Sequence, residues 1–150
     1  MIIVSTAVAS SAAEDAGPEG PRFVWSWVDH TGASGTGDSY GSADNAQLRA
    51  VLDSIKRHPG TEPLMVESGS AALAEQWNVG RESGRLAAKI AGLDDCLLAE
   101  LDDLVANRRG PVKVRWARGD VLSHYQAKAA QLAACSTTVR RGIRGTLAAC

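Results

Sequence analysis

The sequence predicts an α/β domain built on a mixed sheet with helices on its faces. Three observations carry that prediction. Short stretches of alternating apolar and β-branched residues fill the first forty positions. From residue 43 onward apolar residues recur mostly at helical spacing. Two short apolar runs, bounded by Gly and Pro, interrupt those helical stretches. The order is therefore three strands, helix, strand, helices, strand, helix, which suits a layered α/β domain.

Residues 2–9 alternate enough apolar and β-branched side chains to form the first strand. Residues 10–21 (SSAAEDAGPEGP) are small, polar and broken by Gly and Pro, and predict a loop. Residues 22–29 (RFVWSWVD) form a second strand, with Phe23, Trp25 and Trp27 on one face and Val24 and Val28 on the other. His30, Thr31 and Gly32 make a tight connection to a third strand at 33–41, which its glycines weaken. The first helix starts with Asp44 and Gln47 at capping-box spacing. Leu48, Val51, Leu52 and Ile55 continue it, and His58-Pro59-Gly60 stops it.

Residues 63–67 (PLMVE) predict a short buried strand, and 70–78 a short helix capped by Ser68 or Ser70. Helices follow at 81–91 and 94–107, the second with Leu97, Leu98, Leu101, Leu104 and Val105 on its apolar face. Gly110-Pro111 ends that helix and introduces a strand at 112–117, where Val112, Val114 and Trp116 face one way and Lys113 and Arg115 the other. A last helix runs from about Val121 to Cys135. Residues 136–150 then form a basic tail or a helix extension beside a domain of residues 1–135.

A chain of 150 residues suits one domain with a real core. No apolar run approaches the roughly 18 residues that span a bilayer, so no membrane partner is expected. The opening residues lack the basic segment of a secretory signal. Cys96, Cys135 and Cys150 are odd in number and widely spaced, which favours neither a disulfide framework nor a metal site and makes a reducing cytoplasm the expected setting. The net charge of −1 argues against a protein that coats nucleic acid. Arg140, Arg141 and Arg144 carry +3 of it, leaving the body at about −4. Arg81, Arg85 and Lys89 are four apart and would form one ridge on a helix, either a solvated face or a phosphate-tracking one.

Three segments carry a family likeness: 43–54 (ADNAQLRAVLDS), 66–78 (VESGSAALAEQWN) and 112–133 (VKVRWARGDVLSHYQAKAAQLA). In order and spacing they resemble the ribonuclease H family, over the chain up to about residue 135. The resemblance implies a ribonuclease H-like five-stranded mixed sheet, with strands 1–3 antiparallel, the others parallel, and helices on both faces. It also implies a site of four carboxylates, from the first strand, the first helix, the end of the fourth strand and the last helix. At the matching positions stand Thr6, Gln47, Gly69 and Ala130. Asp120 stands where the family places a loop histidine, and His124 is out of register with it.

Enzymes of that family hydrolyse phosphodiesters with two Mg²⁺ ions about 4 Å apart. Mg²⁺ demands anionic oxygen ligands, and neutral replacements cannot hold two dications against their mutual repulsion. The resemblance therefore implies a domain without metal, cofactor or catalysis. Three functional readings follow. The first is a catalytically silent ribonuclease H-like domain that binds nucleic acid, an RNA–DNA hybrid or duplex, weakly and salt-sensitively through Arg81, Arg85, Lys89, Lys113, Arg115 and Arg118. The second is a protein-interaction or homo-oligomerisation module anchored by Trp25, Trp27 and Trp77, residues that a core would equally claim. The third is an active nuclease that uses displaced acids, Glu67, Asp44 and Asp120. Each of these has a simpler role: strand-end charge, helix cap and acid at a helix start. No Ser or Cys has a His–acid pair suited to nucleophilic catalysis.

Overall fold

The first strand starts at Ile2 because β-branched residues at alternate positions can be buried on both faces of a central strand. The computed structural model describes residues 1–10, 18, 20–82, 93–116 and 124–140. Its elements are β1 (Ile2–Ser10), β2 (Arg22–Asp29), β3 (Ser34–Tyr40), α1 (Ala43–Arg57), β4 (Leu64–Ser68), α2 (Ala71–Glu82), α3 (Asp95–Asn107), β5 (Val112–Trp116) and α4 (His124–Arg140). The five strands form one sheet in the order β3-β2-β1-β4-β5. β1, β2 and β3 pair antiparallel, while β4 and β5 add to β1 in parallel. The mixed α/β architecture expected from the element order is therefore present.

Alternation along each strand assigns its side chains to two faces. On the front face Val4, Trp27, Leu64, Val66, Val112 and Val114 meet Leu48, Val51, Leu52 and Ile55 of α1, Leu73 and Trp77 of α2, and Leu97, Leu98 and Leu101 of α3. On the back face Ala7 and Val28 meet Ala129 of α4, with Leu132 at the margin. Small residues let α4 lie close there, and Ser26 Oγ donates to the Ala129 carbonyl at 2.5 Å. Trp27 and Trp77 are buried and Trp25 packs against the same core. None of the three is an exposed anchor.

Several boundaries depart from expectation for local reasons. Ser42, not Asp44, caps α1: its side chain accepts from Asn45 N at 3.1 Å. No capping box is needed, and Gln47 is released to the interior. Ser70 caps α2 by accepting from Leu73 N at 3.2 Å, as its position suggested. α2 then runs on through Gly80 to Glu82 instead of stopping at 78. Asp94 caps α3 through Cys96 N and Leu97 N. The continuation of the helix expected at 81–91 beyond Glu82 lies outside the described residues. α4 continues past Cys135 to Arg140.

The glycines of β3 have a packing cause. A Cβ on Gly37 would overlap the Trp25 ring, and one on Gly35 would overlap Trp27 Nε1. Each indole lies across the bare backbone of its partner in the register, Trp25 on Gly37 and Trp27 on Gly35. Gly37→Ala is accordingly expected to cost about 1–3 kcal/mol through overpacking, although alanine is less costly than glycine to order in a strand. Urea unfolding monitored by tryptophan emission checks this, and a stabilised variant would refute it.

Candidate functional site

The chain reverses its direction of travel across the sheet between β1 and β4. β1 leads outward through hairpins to β2 and β3, and α1 then returns it to β4 on the other side. In open α/β sheets such a point opens a crevice beyond the carboxyl ends of the strands, where ligands bind. Here the β1–β4 pairing stops at Ser5 with Glu67, and the next residues form the crevice.

Neutral hydrogen bonds close that crevice. Thr6 is fully buried, and its Oγ1 donates to Gln47 Oε1 at 2.7 Å, with the Glu67 carbonyl 3.2 Å away. Gly69 N donates to the same Gln47 oxygen at 3.3 Å. From the back face Gln126 Nε2 donates to the Thr6 carbonyl at 2.7 Å. A Cβ on Gly69 would stand 2.5 Å from Gln47 Nε2, so the carboxamide occupies the space that a side chain at 69 would need. Thr6, Gln47 and Gly69 thus meet at one point. Ala130 does not join them. It is exposed, because Gln126, Ala129 and Ala133 form the inward stripe of α4. Gln126, one turn earlier, takes the place expected of Ala130.

This donor set does not fit a pair of divalent cations. Gln47 Oε1 already accepts two hydrogen bonds, and a carbonyl oxygen has two lone pairs. Among the described residues no three His, Cys, Asp or Glu side chains gather where they could hold a metal ion. Of the displaced acids, Asp44 is exposed in the first turn of α1 against the front face. Glu67 points to the back face, because it follows Val66 of the front core. Gly69 lies past the end of β4 and does not share Glu67's direction. Asp120 lies outside the described residues.

The basic candidates divide in the same way. Lys113 and Arg115 are exposed on the back face of the edge strand β5. Arg115 Nη2 pairs with Glu67 Oε1 at 3.0 Å. Arg81 falls in the last turn of α2, while Arg85, Lys89 and Arg118 lie outside the described residues. Trp116 faces the same way as Val112 and Val114, as the alternation predicts, but it is not buried with them. It ends the strand 48% exposed, on the same level as Ser68 and next in line to Thr6. At about 4.8 Å per strand it stands about 10 Å from the closed crevice. Its exposure carries no local signal, since it depends on where the front-face helices stop.

A second polar cluster lies at the other end of the sheet. Asp29, at the end of β2, accepts from Thr31 N, Thr31 Oγ1 and Ala33 N on Oδ1, and Oδ2 meets His58 Nε2 at 2.8 Å. Arg108 donates to the carbonyls of His58, Glu62 and Pro111, tying the ends of α1 and α3 together. Both groups are absorbed by structural bonds.

Among the described residues no helix is long and apolar enough to cross a membrane. No protein-family model matches the chain, and no curated protein matches it.

Proposed function

We propose that the chain is a ribonuclease H-like domain that does not hydrolyse nucleic acid but holds it weakly along the carboxyl edge of its parallel strands. The observation that carries this reading is the convergence of Thr6, Gln47 and Gly69. Three positions far apart in sequence, each matched to a carboxylate of that family, touch one another at the switch point of the sheet. Their neutral contacts supply no anionic oxygen for Mg²⁺, which supports binding without cleavage.

Beside the crevice, the edge strand offers Lys113 and Arg115 to phosphates and the half-exposed Trp116 to an unpaired base. Stacking of a base on an aromatic ring contributes about 1–3 kcal/mol, and phosphate contacts make the binding salt-dependent. The buried and half-buried positions of Trp25, Trp27 and Trp77 leave the protein-anchor reading without its aromatic residues.

The test is an anisotropy titration of a labelled RNA–DNA hybrid carrying a single-stranded overhang. Binding at low salt that fades as salt rises is expected, with the probe intact after incubation in Mg²⁺ or Mn²⁺. Trp116→Ala is expected to weaken binding by about 1 kcal/mol or more. No binding at low salt, or cleavage that disappears in Glu67→Ala, would overturn the reading.

A further inference from the structure

The back face of the sheet carries an arrangement that the crevice does not explain. Ser5, Glu67 and Arg115 lie side by side across β1, β4 and β5, since Ser5 pairs with Glu67 and Glu67 with Arg115 in the strand register. All three point to the same face. Glu67 is buried, with 6% exposure, yet it pairs with the Arg115 guanidinium, whose side chain is 56% exposed. On the other side of Glu67, the hydroxyl of Ser5 is fully buried and has no hydrogen-bond partner among the described residues.

A buried hydroxyl without a partner is costly, and such groups in folded proteins call for a physical reason. The neighbouring strand lies only about 4.8 Å away, a span shorter than an extended glutamate side chain. The carboxylate thus has one partner in place and one unanswered donor on the neighbouring strand.

We propose that Lys113 and Arg115 form a gated phosphate subsite, in which Glu67 is a built-in anion competing with ligand phosphate for Arg115. Ser5 is the partner to which Glu67 moves when Arg115 is taken. This deepens, and rests on, the nucleic-acid reading of the same edge. With the gate closed Glu67 neutralises one of the two cations of the strand. With it open Arg115 contacts phosphate, while Ser5 O–H donates to the carboxylate, which then does not remain buried and unpaired. The gate explains why a surface with two exposed cations would bind only weakly.

Two measurements decide the matter. The first needs no ligand and is a double-mutant cycle in urea. Ser5→Ala is expected to leave the unfolding midpoint of the wild-type chain unchanged or raised, because the hydroxyl does nothing there. In the Arg115→Ala background, where Glu67 depends on Ser5, the same substitution is expected to lower the midpoint. An equal effect in both backgrounds would overturn the gate. The second is the titration of the labelled RNA–DNA hybrid. Glu67→Gln is expected to bind about two- to fivefold more tightly, the range set by the loss of a competing ion pair whose cation is exposed, and Ser5→Ala to bind more weakly than wild type. Wild-type binding that neither substitution changes overturns the gate alone. Absence of binding by wild type and Glu67→Gln alike overturns the nucleic-acid reading beneath it, and the cycle then reports only on the carboxylate's two partners.

Discussion

Replacing Asp29 with alanine is expected to destabilise the fold by about 3–5 kcal/mol, because it leaves several buried donors without their acceptor, at about 1–3 kcal/mol each. Asp29 is 3% exposed and ends β2, where the chain turns through Gly32 into β3. One carboxylate oxygen fixes that turn through three donors, and the other holds His58 at the end of α1. His58 in turn reaches the Ser54 carbonyl through Nδ1 at 2.6 Å and packs edge-on against Trp27, with ring centroids 5.2 Å apart. Trp27 Nε1 donates to Asp53 at 2.7 Å. The single carboxylate thus joins a hairpin, a helix end and a core indole, and alanine would leave three donors and the imidazole unanswered.

The same residue sets an acid limit. Burial raises the carboxyl's affinity for a proton, but the bonds from His58, Thr31 and Ala33 outweigh it and hold the group below its ordinary value of 3.8. A depressed folded-state value contributes stability that is present above the unfolded value and is lost as pH falls through the folded one. Urea midpoints should therefore fall on acidification below about pH 4. The fall should be shallower in Asp29→Asn, which has no such proton to gain. Parallel acid profiles for wild type and Asp29→Asn would show that other carboxylates govern the transition.

Much of the frame is legible in sequence because it is written in local alternation and spacing. RFVWSWVD forms a strand over those eight residues, and the leucines of α3 fall on its buried face. What escapes is set by partners far away along the chain. The β3 glycines look like flaws until Trp25 and Trp27 are laid across them. Gln47 reads as half of a capping box, but Ser42 satisfies the helix end and Gln47 turns to Thr6, 41 positions away. Gln126 reaches Thr6 across 120 positions, and no periodicity separates it from Ala130 one turn later. Ser5 has no sequence signal at all. It stands out only because the sheet register sets its idle hydroxyl beside Glu67.

Thr6→Asp, the substitution that would supply the first carboxylate expected under the proposed ribonuclease H-like reading, is expected to cost about 3 kcal/mol or more and to produce no cleavage. Position 6 is fully buried, and what faces its side chain are acceptors: Gln47 Oε1 at 2.7 Å and the Glu67 carbonyl at 3.2 Å. Threonine suits them because its hydroxyl supplies a proton. A carboxylate supplies none and would set its charge against two oxygens. Thr6→Ser keeps the hydroxyl and loses one methyl group, so about 1 kcal/mol is expected. Gly69→Asp fails for a separate reason, since its Cβ would run into Gln47 Nε2. The wild-type melting temperature should not respond to millimolar Mg²⁺ or Mn²⁺, because a ligand stabilises a fold only by binding it. Should Thr6→Asp instead regain wild-type stability when Mn²⁺ is added, the crevice must open to admit a cation. The neutral contacts of Gln47 would then be a removable plug, and the proposed lack of cleavage would rest on side-chain identity alone.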